Sequence, residues 1–495
     1  MKIINKFFLL FVFASLITSC NDAIEIDQPG RLGADQAFRS VSDLQLGLLG
    51  AYGNLDSTHE ILFNAVFTDE IALGLTNGGQ GLTDGSYGFI LNSTSTAPTN
   101  IWTTNYAVLN SVNRVIAAAA AITPEAGEED QYNDILGQCY ALRAYAHFTL
   151  LSYYSTDYTD DSALAVILLD FVPEVSQSLP RNTNGEIFTS IISDLDLAAG
   201  LIDPAGADPL FFTVDGTIAL RARVALYRGQ YATAGTLAAD LLTRYPIADQ
   251  GQFFNMWDDA DTTEQIFSID RAIADNFDNQ GTNGGGWAGS LFANVDPTIS
   301  GAPFFEMGRA VFNLYDAADI RRARFVGPDA LINPGYATDP LRQSTDVLNF
   351  FIYPGSGGQP LLNDLKVFRS AEMLFIQAES LADAGDLVGA ATLIQQLRTA
   401  RLGAAQPLPV YANETEAFGA ILDERRQELV AQGHRYLDLK RIGARGNREV
   451  LREPTDCAVN GACSLPVSDF RFTLPIPQVE LNANVVIRDQ QNPGY

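Results

Sequence analysis

The chain has 495 residues and sets 31 Lys and Arg against 59 Asp and Glu, a formal net charge of −28 at pH 7. Phosphate neutralisation needs clustered positive charge, so this balance argues against a nucleic-acid binder. Apolar residues make up 47 % and charged residues 18 %, which allows a sizeable core and excludes a disordered acidic tail.

The first residues read as an export signal. Lys2 and Lys6 form a positive end, and Phe7 to Ile17 is a run dominated by large apolar side chains, shorter than the roughly 20 residues that cross a bilayer. Ile17-Thr18-Ser19-Cys20 then resembles a bacterial lipobox, in which Cys20 is lipidated and becomes the mature N-terminus. The alternative is an ordinary signal peptide with a chance Cys. On the lipobox reading residues 1–19 are the signal, residues 20–34 are a lipidated tether, and loss of Lys2 and Lys6 takes the net charge from −28 to −30. No later segment has 18 consecutive apolar residues, so acyl chains rather than a spanning helix would hold the body to a membrane.

Helical signals begin at Ser40 to Leu55 and pause in a Gly-rich stretch from Gly74 to Gly88. They resume from Asn100 to Ile122, where Val108, Leu109, Val112, Val115 and Ile116 recur at helical spacing before Pro124. Asp130 to Tyr154 reads as one long helix or a pair, and Asn184 to Leu201 as another. Cys139 falls on an apolar helical stripe with Leu136, Leu142, Ala146 and Leu150, the setting of a buried, inert thiol.

Thr217 to Pro246 resembles a tetratricopeptide repeat: Ala222 and Ala225 on a first helix, a turn at Gly229-Gln230-Tyr231, Ala234 on a second helix, and Pro246 beyond it. The pattern recurs at Ala378, Gly385-Asp386-Leu387, Ala390 and Leu397. The expected fold is therefore mainly α, a body over 35–495 with helical repeat parts at about 35–246 and 367–445. Between them, about 247–366 reads as a loop-rich insertion with short strands such as Gln265 to Asp270 and Val347 to Tyr353.

Three His and four Cys lack the close ligand spacings of a zinc site, and no cofactor motif is present. Gly79-x-Gly81 has neither the Lys nor the strand and helix context of a phosphate loop. Asp258, Asp259, Asp261 and Glu264 lack the calcium-loop pattern and read as a solvated acidic loop. Cys457 and Cys463 flank the turn signal Asn460-Gly461, which makes them a candidate local disulfide in an exported chain.

Three blocks in the C-terminal third carry a wider likeness. Ser370-Ala371-Glu372-Met373-Leu374-Phe375-Ile376-Gln377-Ala378-Glu379-Ser380-Leu381, Asp423-Glu424-Arg425-Arg426-Gln427-Glu428-Leu429, and Gly433-His434-Arg435-Tyr436-Leu437-Asp438-Leu439-Lys440-Arg441 resemble successive signature blocks of the SusD/RagB family. Pro475-Ile476-Pro477, the closing Gln491-Asn492-Pro493-Gly494-Tyr495, and upstream Trp102, Tyr106, Asn113 and Ala141-Leu142-Arg143-Ala144-Tyr145 fit as well. The resemblance implies a tetratricopeptide-like, lipid-anchored outer-membrane protein at the cell surface. It also implies that the protein binds a glycan, or a peptide as in the RagB type, and delivers it to a SusC-like TonB-dependent transporter. Mixed charges at i, i+3 and i+4 in Asp423 to Leu429 suit a helix tied by surface pairs or by bonds to neighbouring helices, and Trp102 and Trp257 read as core.

A sugar ring offers flat C–H faces edged with hydroxyls, so its site needs exposed aromatic planes beside amides or carboxylates. Two segments have that mix, Asn77 to Phe89 and Asp275 to Phe292. Trp287 is the expected central platform, with Tyr87 and Phe292 as further surfaces and Asp84, Asn279 and Asn283 as polar contacts. No catalytic residue is assigned, because no G-x-S-x-G or H-E-x-x-H motif occurs. A glycoside hydrolase, which needs only one carboxyl pair, and a pure protein scaffold remain as alternatives.

Overall fold

The computed structural model describes residues 37–73, 85–174, 177–271, 305–327, 330–333, 346–355 and 362–495. Helix α1 (Val41–Tyr52) leads to α2 (Thr58–Phe67) and the short strand β1 (Ile71–Leu73). Two long helices follow, α3 (Thr96–Ala119) and α4 (Glu129–Tyr154), with α5 (Asn184–Leu201) packed along α4. The segment left open between one helix and two is one continuous helix, buried at every position from Ala141 to Tyr154. α5 starts where expected, because Thr183 and Glu186 form a reciprocal capping box. α2 was not legible: eight of its ten residues are buried, so no polar face marks its period.

Next come α6 (Val214–Tyr227) and α7 (Tyr231–Leu242), joined by a turn in which Gly229 has φ +72°. The following region holds α8 (Gln250–Met256), β2 (Gln265–Ile269), β3 (Phe305–Met307), α9 (Arg309–Phe312), α10 (Ile320–Phe325) and β4 (Leu365–Arg369). β2 pairs antiparallel with β4, so the start and end of this region are tied at one base. Val347 to Tyr353 is buried but is not a strand, since only isolated bridges, Leu331 to Val347 and Val326 to Phe350, reach it. The apolar run records burial rather than a ladder.

The C-terminal third comprises α11 (Ser370–Asp383), α12 (Leu387–Leu402), α13 (Glu414–Glu428) and α14 (Arg435–Ile442), followed by β5 (Val450–Leu451), α15 (Pro454–Cys457), β6 (Ser464–Leu465) and α16 (Gln478–Ala483). The two repeat-like hairpins, α6–α7 and α11–α12, are direct neighbours, with α11 packed against α7. Their close approach depends on small residues: a Cβ on Gly235 would lie 2.3 Å from Ser380 Oγ. The mainly helical architecture agrees with the repeat reading.

The signature block of α13 is an internal ion lattice rather than a set of surface pairs. Glu428 accepts from Arg401 (Nη2, 2.8 Å) and Arg369 (Nη1, 3.2 Å), and Glu264 accepts from the same two guanidiniums at 2.7 Å each. Arg321 joins through Glu428 at 3.4 Å and also pairs with Glu424 at 2.8 Å, and all these side chains are at most 2 % exposed. Beside it, Arg425 meets Asp438 at 2.7 Å while Arg441 pairs with Glu379. A third cluster places Asp69, just after α2, against Arg435 (2.9 Å) and Arg426 (3.4 Å). Buried charges of this kind are costly unless paired, and removing one partner costs about 3–5 kcal/mol.

Burial alone would raise the Asp69 carboxyl, but Arg426 and Arg435 overrule it and hold it near about 2, below its ordinary 3.8. Glu60 on α2 is the opposite case. Burial pushes it from 4.5 to about 8, opposed chiefly by an amide bond from Asn105.

Two predictions follow from this packing. Gly235→Val should destabilise the chain by about 1–3 kcal/mol by forcing α7 from α11, measured by urea unfolding. The stabilising contributions of Asp69 and Glu60 should both be fully present only near pH 4–5. The Asp69 contribution is present above about 4 and lost as pH falls through about 2, whereas that of protonated Glu60 is present below about 4.5 and lost as pH rises through about 8. Unfolding midpoints across pH 2–9 check this, with Glu60→Gln expected to flatten the alkaline limb.

Candidate ligand-binding site

Of the residues singled out for ligand contact, Asp84, Asn279, Asn283, Trp287 and Phe292 lie outside the described residues, as does Cys20. What is described is the ground from which their segments leave. β1 pairs antiparallel with β3, Ile71 opposite Met307 and Leu73 opposite Phe305. The chain therefore enters 74–84 and leaves 272–304 at neighbouring strand ends. Residues some 200 positions apart in sequence share one base.

Tyr87 is not an exposed surface. Its ring is fully buried, and its hydroxyl donates to the Asp456 carbonyl at 2.8 Å. Burial pushes the phenol up to about 12 despite the neighbouring Arg452 cation. The Arg452 guanidinium lies 3.9 Å from the Tyr87 ring centre and 4.3 Å from that of Phe89. A Tyr amid glycines reads as exposed, but here the ring faces inward because a distant guanidinium offers it a cation–π partner.

Arg452 also donates to four backbone carbonyls: Val66 (3.0 Å) and Thr68 (2.9 Å) at the end of α2, Tyr87 (2.6 Å), and Ala462 (2.9 Å). A cation suits the carbonyl end of a helix. Phe89 holds φ +57°, a conformation unusual for a side chain of that size, and its carbonyl accepts from Arg471 at 2.7 Å.

The other stem is held from the same hairpin. Arg309, which opens α9 directly beyond β3, is fully buried and pairs with Asp456 through Nη1 at 2.6 Å and through its backbone N–H at 2.7 Å. Its Nη2 donates to the Asp346 carbonyl at 3.2 Å. Asp456 lies in α15, one residue before Cys457, which is disulfide-bonded to Cys463 with Cα atoms 5.0 Å apart. Cys139 is a buried free thiol, its pKa raised by burial. Arg309, Arg452 and Asp456 carried no sequence signal, since none stands in an aromatic or Gly-rich context.

Nearby lies a groove of about 1020 Å³, lined in part by Asp69, Asp423, Arg426, Arg435, Arg448 and Arg452. Its four arginines have partners within the fold: Arg426 and Arg435 meet Asp69, Arg448 meets Asp423 at 2.6 Å, and Arg452 holds backbone carbonyls. The acidic cluster is only partly the solvated loop expected: Asp258 is exposed and Asp259 and Asp261 are half-buried, while Glu264 is fully buried. Asp258 pairs with Arg324 (2.6 Å), Asp259 with Lys366, and buried Glu264 with Arg369 and Arg401, while Asp261 accepts from the Thr263 N–H. Trp102 and Trp257 are buried, Trp102 donating to Glu480 at 3.2 Å.

Arg452→Ala should destabilise the fold by about 3 kcal/mol or more, because the buried carbonyls of Val66, Thr68 and Tyr87 lose their donor. Urea unfolding checks the magnitude, and Arg452→Lys should restore only part of it, since an ammonium has three donors and no planar fork.

A family model described as "SusD family" matches residues 355–495, and one described as "Starch-binding associating with outer membrane" matches residues 76–226. A SusD-like protein of Formosa agariphila is 23 % identical over 487 residues, covering 89 % of this chain and 91 % of that one. Among solved structures, a SusD superfamily protein from Bacteroides thetaiotaomicron superposes with TM-score 0.75 at 22 % identity, covering 92 % of this chain and 100 % of that one. Surface glycan-binding protein A from Bacteroides fluxus gives TM-score 0.69 at 20 % identity, over 92 % of this chain and 100 % of that one. Together with the signature blocks now seen as the buried lattice of α13 and α14, these matches make the chain similar to SusD/RagB proteins in both its N-terminal and its C-terminal parts.

Proposed function

We propose that this protein captures a glycan at the cell surface and passes it, uncleaved, to a SusC-like TonB-dependent transporter of the outer membrane. The observation that carries the reading is the pairing of Leu73 with Phe305, which sets the two aromatic and amide-rich segments on one base. The likeness to SusD/RagB proteins and the glycan-binding relative support it. Trp287 is the stacking platform and Phe292 a second surface, with Asp84, Asn279 and Asn283 hydrogen-bonding ring hydroxyls. Cys20 carries the lipid, residues 1–19 are removed as the signal, and 20–34 tether a body of 35–495. Within that body, repeat parts at about 35–246 and 367–445 flank the insertion at about 247–366. No helix among the described residues is long and apolar enough to cross a membrane.

The ligand is a neutral glycan. A net charge of −28 disfavours an anion, and the arginines of the large groove are held by Asp69, Asp423 and backbone carbonyls. Isothermal titration against a panel of neutral and sulfated glycans tests this. A neutral glycan should bind, Trp287→Ala should weaken it roughly tenfold or more, and no reducing ends should be released. Unchanged binding by the variant would remove Trp287 from the site.

A further inference from the structure

A cavity of about 60 Å³ lies where three parts of the chain meet: the start of α2, the inner face of α4, and the turn 432–434 that leads into α14. Tyr145, Phe148 and Tyr153 wall it with rings, yet several groups that line it are polar and uncommitted. Ser57 precedes α2 without making a side-chain capping bond. Glu60 is 7 % exposed; one carboxyl oxygen accepts from Asn105 at 3.0 Å, and the other finds no partner among the described residues. His434 keeps free surface although burial pushes its imidazole down to about 4, and that surface belongs to the cavity wall. The volume suits a few water molecules, at roughly 10–15 Å³ each, and these groups supply their partners.

The full charges around the cavity are already neutralised. Arg223 of α6 makes two bonds of 2.6 Å with Glu372 of α11, Lys366 of β4 pairs with Asp259, and Arg425 and Asp438, within reach of His434, meet each other at 2.7 Å. Asp56 is bound to Thr58 and raises Glu60 further. The remaining titratable neighbours are phenols, Tyr145, Tyr153 and Tyr154 of α4, Tyr227 of α6 and Tyr353, all pushed up by burial. A charge on Glu60 or His434 would stand there without a counter-ion of its own. Further along α2 the contact with α14 is direct: Tyr436 donates its N–H to Asn64 at 2.9 Å, and its ring packs edge-on against Phe63.

We propose that the cavity is a hydrated joint in which bound water connects Ser57 and Glu60 to His434, and that a charge on either Glu60 or His434 opens the joint while the rest of the fold stays closed. The first turn of α2 and the turn 432–434 then part, hinged at Asn64 and Tyr436. Opening returns Glu60 from about 8 to its ordinary 4.5 and His434 from about 4 to its ordinary 6.5, so it exchanges protons with solvent. Above pH 6.5 only Glu60 counts: the open form has released the proton that the closed form keeps, and opening becomes roughly tenfold more frequent per pH unit up to about 8. Between pH 4.5 and 6.5 the proton lost by Glu60 is matched by one gained by His434, and opening stays level.

Hydrogen–deuterium exchange of the full mature chain, corrected for the intrinsic rate at each pH, tests this on fragments spanning 57–67 and 429–438, with α12 as reference. The two joint fragments should be less protected than α12 and should lose protection roughly tenfold per pH unit between pH 6.5 and 8. Glu60→Gln should abolish that slope, whereas His434→Gln should extend it down to about pH 4.5. A crystal structure should place ordered water within hydrogen-bonding distance of Ser57, Glu60 and His434. A slope that persists in Glu60→Gln would overturn the joint, as would protection equal to that of α12, since opening would then be global unfolding. A dry cavity, or one filled by an ion, would overturn it as well. If Glu60→Gln fails to fold, His434→Gln decides, and a slope still starting at pH 6.5 overturns the proposal.

Discussion

The structure depends on guanidinium groups taken out of water. Glu428 and Glu264 each bridge Arg369 and Arg401, and in doing so they lock the base of the β2–β4 pair to α12 and α13. None of these four side chains has meaningful solvent exposure, so the Coulombic attraction is little screened and the desolvation cost is large. Such a lattice is stable only when complete. It therefore acts as an assembly condition: the two ends of the central region and the last third of the chain must all be in place before any of these charges is satisfied.

A second consequence concerns direction. Asp69, at the end of the N-terminal helices, meets Arg426 and Arg435 from the C-terminal third, and Arg452 caps the carbonyl end of α2 nearby. The same C-terminal elements that close the lattice thereby reach over to β1 and, through Asp456, to Arg309 beyond β3. Rigidity runs without a break from the buried ion pairs to the stems under the proposed ligand face.

Much of the scaffold was readable from local pattern. Gly229 and Gly385 mark turns between helices whose small residues face one another, and Thr183 with Glu186 announces the start of α5. These are short-range effects, decided within a few residues by backbone sterics and capping. What local pattern misjudged were residues whose role depends on distant partners. Tyr87 looked exposed in a Gly-rich stretch, yet Arg452, 365 positions away, supplies the cation that draws it inside. Asp258 to Glu264 looked like a solvated run, yet each carboxylate finds its own partner. Val347 to Tyr353 looked like a strand, yet apolar burial without a continuous partner yields only isolated bridges.

By itself, the sequence determined the helical class, the repeat hairpins, the acidic balance and the family signature, because periodicity, turn residues and composition are local or additive properties. Only the tertiary structure decided that α7 lies on α11, that the charged block of α13 is core, and that 74–84 and 272–304 spring from adjoining strand ends. Those outcomes depend on pairing between residues that are distant in sequence. A charge or an aromatic ring does not carry in its own neighbourhood the identity of the partner that will make its burial favourable.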